Sequence, residues 1–212
     1  MIGGTVARLC VARGYEVVLS NSRGPDTLKG LAEELGPLAA AGTPDEAAEA
    51  GHLVVVSIPV KAFPSVPAMP LAGTPVLDTC NYYPQRDGHL AELHDGSLTS
   101  SGLLQRDLPS ARVVKVFNNI FFKHLQSLAR PGSAAGRSAL PIAGDDEDAK
   151  AAVTMFLDWI GYDAVDAGPV AESWRQEPGT PVYGTPYGPF SDETGTPAPA
   201  AAIRAALAAA HR

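Results

Sequence analysis

The chain opens with a glycine turn, a helix-like segment, a strand-like run and a polar tip, in that order. Gly3-Gly4 begins a helical pattern over Gly3–Arg13, with Ile2, Val6, Leu9 and Cys10 on one face and Arg8 and Arg13 on the other. Gly14 ends it, as a C-terminal glycine does. Tyr15–Ser20 then reads as a strand, Asn21-Ser22-Arg23 as its tip and, after Gly24-Pro25, Asp26–Leu35 as a second helix. This is the order of a dinucleotide-binding βαβ unit taken up at its glycine turn. At the tip of the second strand such units discriminate between cofactors. A carboxylate accepts hydrogen bonds from the adenosine ribose and suits NAD; an arginine beside small donors suits the extra phosphate of NADP. Val17–Pro25 holds no acid, and Ser22-Arg23 stands where that phosphate would lie, so the tip reads as NADP.

The alternation continues downstream. Thr43 is a helix N-cap, with Pro44 in the first helical position and Glu46 three residues on, and that helix ends by Gly51. Leu53–Ile58 is almost wholly apolar, as in parallel strands covered on both faces, and Pro59 ends it. Further strands are expected at Pro75–Asp78, Arg112–Phe117, Ala139–Ala143 and Tyr162–Val165. Helices are expected at Leu98–Leu108, Ile120–Leu128 and Asp146–Ile160, a polar loop at 81–88, and an alanine-rich surface helix in Pro197–Ala210. The pattern predicts an α/β fold: a Rossmann-like, doubly wound parallel sheet in residues 1–137, followed by a small C-terminal lobe and tail in 138–212. Its first strand and the first two glycines of the fingerprint are missing ahead of Met1-Ile2-Gly3-Gly4. That strand belongs in the middle of the sheet, so the expectation is that Met1 is an internal methionine and the start codon lies upstream.

Composition narrows the function. A net charge of −7 argues against a general nucleic-acid binder. No apolar run approaches the roughly 18–20 residues of a membrane span, and the N-terminus lacks a signal-peptide pattern, so a cytoplasmic location is expected. Cys10 and Cys80 lie far apart and read as buried thiols. No metal constellation, GxSxG or GxxxxGK[ST] pattern is present, and no catalytic residue is assigned. From Leu108 to Gly144 there is no Asp or Glu, while Arg112, Lys115, Lys123, Arg130 and Arg137 fall within that stretch. This basic island suits an anionic ligand, or is a chance gap on a solvated surface.

Ligands of doubly wound sheets bind beyond the C-terminal ends of the strands. Four tips qualify: Asn21-Ser22-Arg23, Ser57-Ile58-Pro59, Asp78-Thr79-Cys80-Asn81 and Asn118-Asn119. The amide pair could bond a nicotinamide carboxamide or a substrate carbonyl, or cap the next helix. Phe117, Phe121 and Phe122 read as core rather than as a platform for a flat ring.

Ile-Gly-Gly-Thr-Val-Ala-Arg-Leu at 2–9, Val-Leu-Ser-Asn-Ser-Arg-Gly-Pro at 18–25 and Lys-Val-Phe-Asn-Asn-Ile at 115–120 resemble the NADP oxidoreductases that depend on the deazaflavin coenzyme F420. So does Trp174-Arg175 followed by Pro178-Gly179-Thr180-Pro181, and the similarity runs to about residue 188. The resemblance implies a homodimer that transfers a hydride between NADP(H) and a small-molecule co-substrate, coenzyme F420 or a flavin. It implies a cofactor site of Ile2, Gly3 and Thr5, of Asn21, Ser22 and Arg23 on the 2′-phosphate, of Ser57, Ile58, Pro59 and Val60 near the ribose and pyrophosphate, and of Asn81. The acceptor's phosphate and carboxylates would suit the basic island, which gives Lys115, Lys123, Asn118 and Asn119 as the substrate pocket. Two alternatives stand beside this. One is an imine or carbonyl reductase with Tyr82, Tyr83 or Lys115 as proton donor. The other is a non-catalytic NADP-sensing protein.

Overall fold

Alternation along the central strands fixes the layers. Val76 and Val113 point to one face of the sheet and Leu77 and Val114 to the other, all fully buried or nearly so. The computed structural model describes residues 1–132 and 134–212. Its elements are α1 (Ile2–Val11), β1 (Val17–Leu19), α2 (Lys29–Leu35), β2 (Ala39–Ala41), α3 (Pro44–Ala50), β3 (Val54–Val56) and β4 (Pro75–Asp78). Then come the short helical turns α4 (Pro84–Asp87) and α5 (Ala91–His94), α6 (Ser100–Asp107), β5 (Arg112–Lys115) and α7 (Phe122–Ser127). Finally β6 (Ala139–Gly144), α8 (Glu147–Ile160), β7 (Asp163–Asp166) and α9 (Ala200–Ala208) close the chain.

The strands form a two-stranded parallel sheet, β1-β2, and a five-stranded sheet in the order β3-β4-β5-β6-β7. Within the latter, β3, β4 and β5 are parallel, β6 runs against β5, and β7 is parallel to β6. The break falls between β1 and β3, the place where the sequence pattern puts the first strand of the doubly wound order. Among the described residues no strand pairs with the other edge of either. Helices cover both faces: α1, α7 and α8 join the cluster around Leu77 and Val114, while α6 joins the one around Val76, Phe63 and Leu71. The architecture is thus mixed α/β with a mainly parallel sheet, as expected. The segment from residue 138 onward supplies β6 and β7 to that same sheet.

Local signals explain most boundaries. Thr43 and Glu46 form a reciprocal capping box, with the Glu46 amide donating to Thr43 Oγ1 (3.2 Å) and the Thr43 amide to Glu46 Oε2 (2.7 Å). Asp146 Oδ1 accepts from the Ala149 amide at 2.8 Å and starts α8. Three expectations need correction. The helix predicted at Asp26–Leu35 begins as a tighter 3₁₀ turn, Pro25–Leu28. The loop at 81–88 contains α4, because Pro84 sits in the first helical turn and the Asp87 carboxylate takes the Tyr83 amide at 3.0 Å. The alanine-rich tail helix is more than a surface element: Ala201, Ala202, Arg204, Ala205 and Ala208 are exposed, but Ile203 and Leu207, one turn apart, are buried and α9 packs on β6 and β7. No helix among the described residues is long and apolar enough to cross a membrane.

Gly161 ends α8 with φ +107°, and a Cβ there would lie 2.7 Å from the Arg130 amide nitrogen. Backbone in that region strains any other residue. Gly161→Ala is expected to lower unfolding free energy by about 1–3 kcal/mol in urea titrations. An unchanged midpoint would contradict this close contact.

Candidate active site

Asp78 on β4 and Lys115 on β5 are register partners at the C-terminal ends of their strands, and both are fully buried. Lys115 Nζ lies 3.3 Å from Asp78 Oδ2 and donates to the Cys80 carbonyl (2.6 Å) and Ser100 Oγ (2.8 Å). Ser101 Oγ donates to Asp78 Oδ2 at 2.6 Å, and Asp78 Oδ1 accepts from the Cys80 amide at 2.8 Å. Ser100 in turn donates through both its amide and its hydroxyl to Glu177 Oε1, each at 2.9 Å. A buried ion pair is tolerated only when its remaining donors and acceptors are met, as here. The network fixes the bend Thr79-Cys80-Asn81 that follows β4. Lys115 is therefore a structural cation, and its expected places in the substrate pocket and as proton donor are overturned.

The tip of β5 carries the one strained non-glycine residue described: Phe117 has φ +64° and is fully buried. The turn aims Asn118 and Asn119 into the protein rather than onto α7, whose N-terminus has no side-chain cap. Asn118 Nδ2 donates to Asn81 Oδ1 (2.9 Å) and the Gln176 carbonyl (2.6 Å), and Asn81 Nδ2 returns a bond to the Asn118 carbonyl (2.9 Å). Asn119 Nδ2 donates to the Val182 carbonyl at 3.0 Å. Both amide donors are spent, while both Oδ1 atoms are buried without a partner. The unmet hydrogen-bonding capacity of the pair is therefore acceptance, not donation.

Asn118 and Asn119 line a cavity of about 200 Å³ together with Ile2, Thr79, Asn81, Ile120, Phe121, Phe122, Tyr183 and Phe190. The tips of β4 and β5 and the start of α1 thus meet at one place. Phe117 is core, as expected, but Phe121 and Phe122 stand at the cavity wall instead. Tyr183 and Phe190 come from the proline-rich segment and were not singled out. Their signal was Gly-Thr-Pro-Val-Tyr at 179–183, echoed by Gly-Thr-Pro-Tyr at 184–187. Its second tyrosine, Tyr187, is buried and donates to the Ala139 carbonyl at 2.8 Å; its first, Tyr183, turns to the cavity. The Tyr183 hydroxyl is 2.6 Å from that of Tyr83. Burial, then the Tyr83 bond, raise its pKa, so it stays protonated.

The other expected cofactor residues lie at the C-terminal tips of β1 and β3 and in α1. Gly3, in the first turn of α1, approaches the tip of β3 so closely that a Cβ would lie 3.3 Å from Ser57 Cβ. Ser57 is exposed and Ile58 and Pro59 are partly so, whereas the side chains of Val60 and Thr5 are buried and leave only backbone for a ligand. At the tip of β1 the Arg23 amide donates to Asn21 Oδ1 at 2.8 Å, and Asn21 Nδ2 holds Thr27 at 2.9 Å. This turn leaves the Ser22 and Arg23 side chains exposed, and among the described residues Arg23 has no carboxylate partner. Those features fit a dinucleotide: a helix start free of side-chain caps, a glycine at close approach and an unclaimed guanidinium.

The basic island does not survive folding. Arg112 meets Asp146 (3.6 Å), Lys123 meets Glu193, and Arg137 meets Asp158 (2.6 Å) and Asp163 (3.3 Å). Arg130 donates to the Ser127 and Ala129 carbonyls at 2.6 and 2.9 Å. Its acids come from outside residues 108–144, which a linear reading of charge cannot see. Lys123 is thus a half-buried cation paired with Glu193 and does not line the cavity. Neither cysteine offers a thiolate: burial pushes the Cys10 thiol up to about 12, and burial followed by the nearby Asp78 pushes Cys80 well up.

Residues 1–82 match the family model of the coenzyme F420-dependent NADP oxidoreductases. The earlier resemblance therefore holds over that stretch, which carries α1, Arg23, Ser57 and Asn81. The protein YjhV of Escherichia coli (strain K12) is 42% identical over 53 residues, which are 25% of this chain and 39% of YjhV. The chain thus matches well under half the length of that curated relative. Among solved structures, hypothetical protein SMa0349 from Sinorhizobium meliloti is 24% identical with a TM-score of 0.73, covering 85% of this chain and 87% of that one. A candidate F420-dependent NADP-reductase from Arthrobacter sp. FB24 is 25% identical with a TM-score of 0.66, covering 81% and 82%. The imine reductase BcSIRED from Bacillus cereus shares the fold at 17% identity and a TM-score of 0.55, covering 80% and 52%.

Removing one partner of a buried pair strands the other charge. Lys115→Met is expected to cost about 3–5 kcal/mol of unfolding free energy in urea titrations. Adding Asp78→Leu should restore most of it. Wild-type stability in Lys115→Met would show that the pair does not hold the strand ends.

Proposed function

We propose that this chain is an NADP(H)-dependent oxidoreductase that transfers a hydride between nicotinamide and a deazaflavin or flavin-like acceptor. The observation that carries the reading is the placing of polar groups at C-terminal strand tips: Arg23, with no carboxylate partner among the described residues, follows β1, and the tips of β4 and β5 meet the first turn of α1 at a small cavity lined by paired amides. Arg23 and Ser22 would hold the 2′-phosphate, as a guanidinium with a neighbouring hydroxyl does. The first amides of α1, with Gly3 giving close approach to Ser57, would face the pyrophosphate. Asn118 and Asn119 would receive the carboxamide through their unpaired oxygens. When bound, the nicotinamide supplies or takes up the hydride, and the protein need only hold two rings in contact. The family match and the Arthrobacter neighbour support the same class.

One observation favours a second reading, reduction of an imine or carbonyl. Tyr183 brings a protonated phenol to the cavity, backed by Tyr83. Tyr83 thus stays in play through Tyr183, while Lys115 does not. Tyr82 is committed elsewhere, donating to the Gly88 carbonyl (2.9 Å) and accepting from the Leu90 amide (3.0 Å).

Arg23→Ala tests the phosphate assignment. NADPH should bind about tenfold or more weaker, the range of a lost charge-assisted hydrogen bond, with NADH changed by less than about twofold. Fluorescence titration of both reads it. Equal losses would place the phosphate elsewhere.

A further inference from the structure

The outer half of the cavity differs from its floor. Phe121, Phe122, Tyr183 and Phe190 form a cluster of rings: Phe121 lies 4.7 Å from Phe122 and 5.5 Å from Phe190, and Tyr183 lies 6.4 Å from Phe190. Phe190 is 53% exposed, at the outer side of this cluster. Its ring packs directly on Gly184, φ +76°, where any Cβ would lie 2.8 Å away. No lysine or arginine lines the cavity. The cations closest to its rim in sequence are engaged, Lys123 by Glu193 and Arg86 by Asp87 at 2.8 Å. The chain as a whole carries −7. A volume of about 200 Å³ is below the roughly 300–1,000 Å³ of pockets that enclose a whole ligand. It admits one ring, so with nicotinamide on the amide floor an acceptor ring would lie across the mouth, where Phe190 is exposed.

Resting on the hydride-transfer reading, we infer that the acceptor is recognised through its flat aromatic ring by Phe121, Phe122, Tyr183 and Phe190, and not through an anionic tail. The ligand class is a flavin or deazaflavin ring bearing an uncharged side chain. Aromatic faces stack on such rings with about 0.5–1.5 kcal/mol per pair beyond area burial, whereas a phosphate or carboxylate tail finds no unpaired cation at this rim. With reduced nicotinamide on the amide floor, the C–H bond at its C4 breaks and its electron pair and hydrogen pass to the acceptor ring. A new C–H or N–H bond forms there, the nicotinamide becomes the pyridinium, and solvent supplies the proton that completes the reduced acceptor.

The test compares riboflavin with FMN, which share a ring and differ by a phosphate. Binding is measured by quenching of flavin fluorescence, and NADPH binding by a separate titration. The expected result is a Kd for riboflavin within about threefold of that for FMN, unchanged between low and high salt. Phe190→Ala, a change at an exposed ring, should weaken both flavins by about fivefold or more and leave NADPH binding alone. FMN binding tenfold tighter than riboflavin and lost in high salt would overturn the inference, as would indifference of both flavins to Phe190→Ala. If NADPH binds and neither flavin does, the inference fails while the cofactor reading stands. If NADPH does not bind, the reading beneath it fails as well.

Discussion

The contact on which the site depends is the one between Asp78 and Lys115. Two opposite charges, neighbours in register on parallel strands, are sealed under α6 with every remaining hydrogen bond answered by Ser100, Ser101 or the Cys80 backbone. Such a pair adds little net stability over an apolar substitute, but it specifies geometry. The specified geometry is the bend that carries Asn81 across to Asn118. Ser100 passes the restraint on to Glu177, and so to the segment that brings Tyr183 over the cavity. One buried pair therefore orients both the floor and one wall.

Much of the fold was legible because its signals are local. A capping box at Thr43, a glycine stop after α1 and an apolar run at 53–58 each act within a few residues. The exposed polar tip at Asn21-Ser22-Arg23 was legible for the same reason. What was missed depends on partners distant in sequence. Lys115 looks like a pocket cation until β4 places a carboxylate beside it. Arg112, Lys123 and Arg137 look like an anion site until Asp146, Glu193 and Asp158 fold onto them. The buried face of α9 was hidden because alanine dominates it and only Ile203 and Leu207 carry the pattern. Tyr183 and Tyr187 have near-identical local sequence yet opposite fates, set by what each segment meets.

Electrostatics divides the proposed site into two ends of different character. At the β1 tip, an arginine without an internal carboxylate sits on an acidic protein, so its field is local and short-ranged at physiological salt. At the cavity, neighbouring cations are neutralised and the surface is aromatic. In the proposed site a dinucleotide phosphate would carry its charge to the first end, and a neutral ring would lose least by entering the second. Net charge alone would have predicted neither.

Phe117 ties these observations to energetics. A bulky side chain at positive φ costs on the order of 1–3 kcal/mol, and the conformation persists only because the surroundings over-determine it. Its ring is fully buried, packed edge-on to Phe156 at 6.4 Å, and the next two residues are clamped by the carbonyls of Gln176 and Val182. Both carbonyls belong to the segment after β7, some sixty residues downstream. The strain at the β5 tip and the docking of that segment are thus coupled: the clamps hold the turn in its strained form, and the turn presents the amides that the clamps require. The aromatic wall at Tyr183 and Phe190 rides on the same segment. Floor and wall are then parts of one cooperative unit, in which loosening the downstream segment would relax Phe117 and swing the paired amides away from the cavity together.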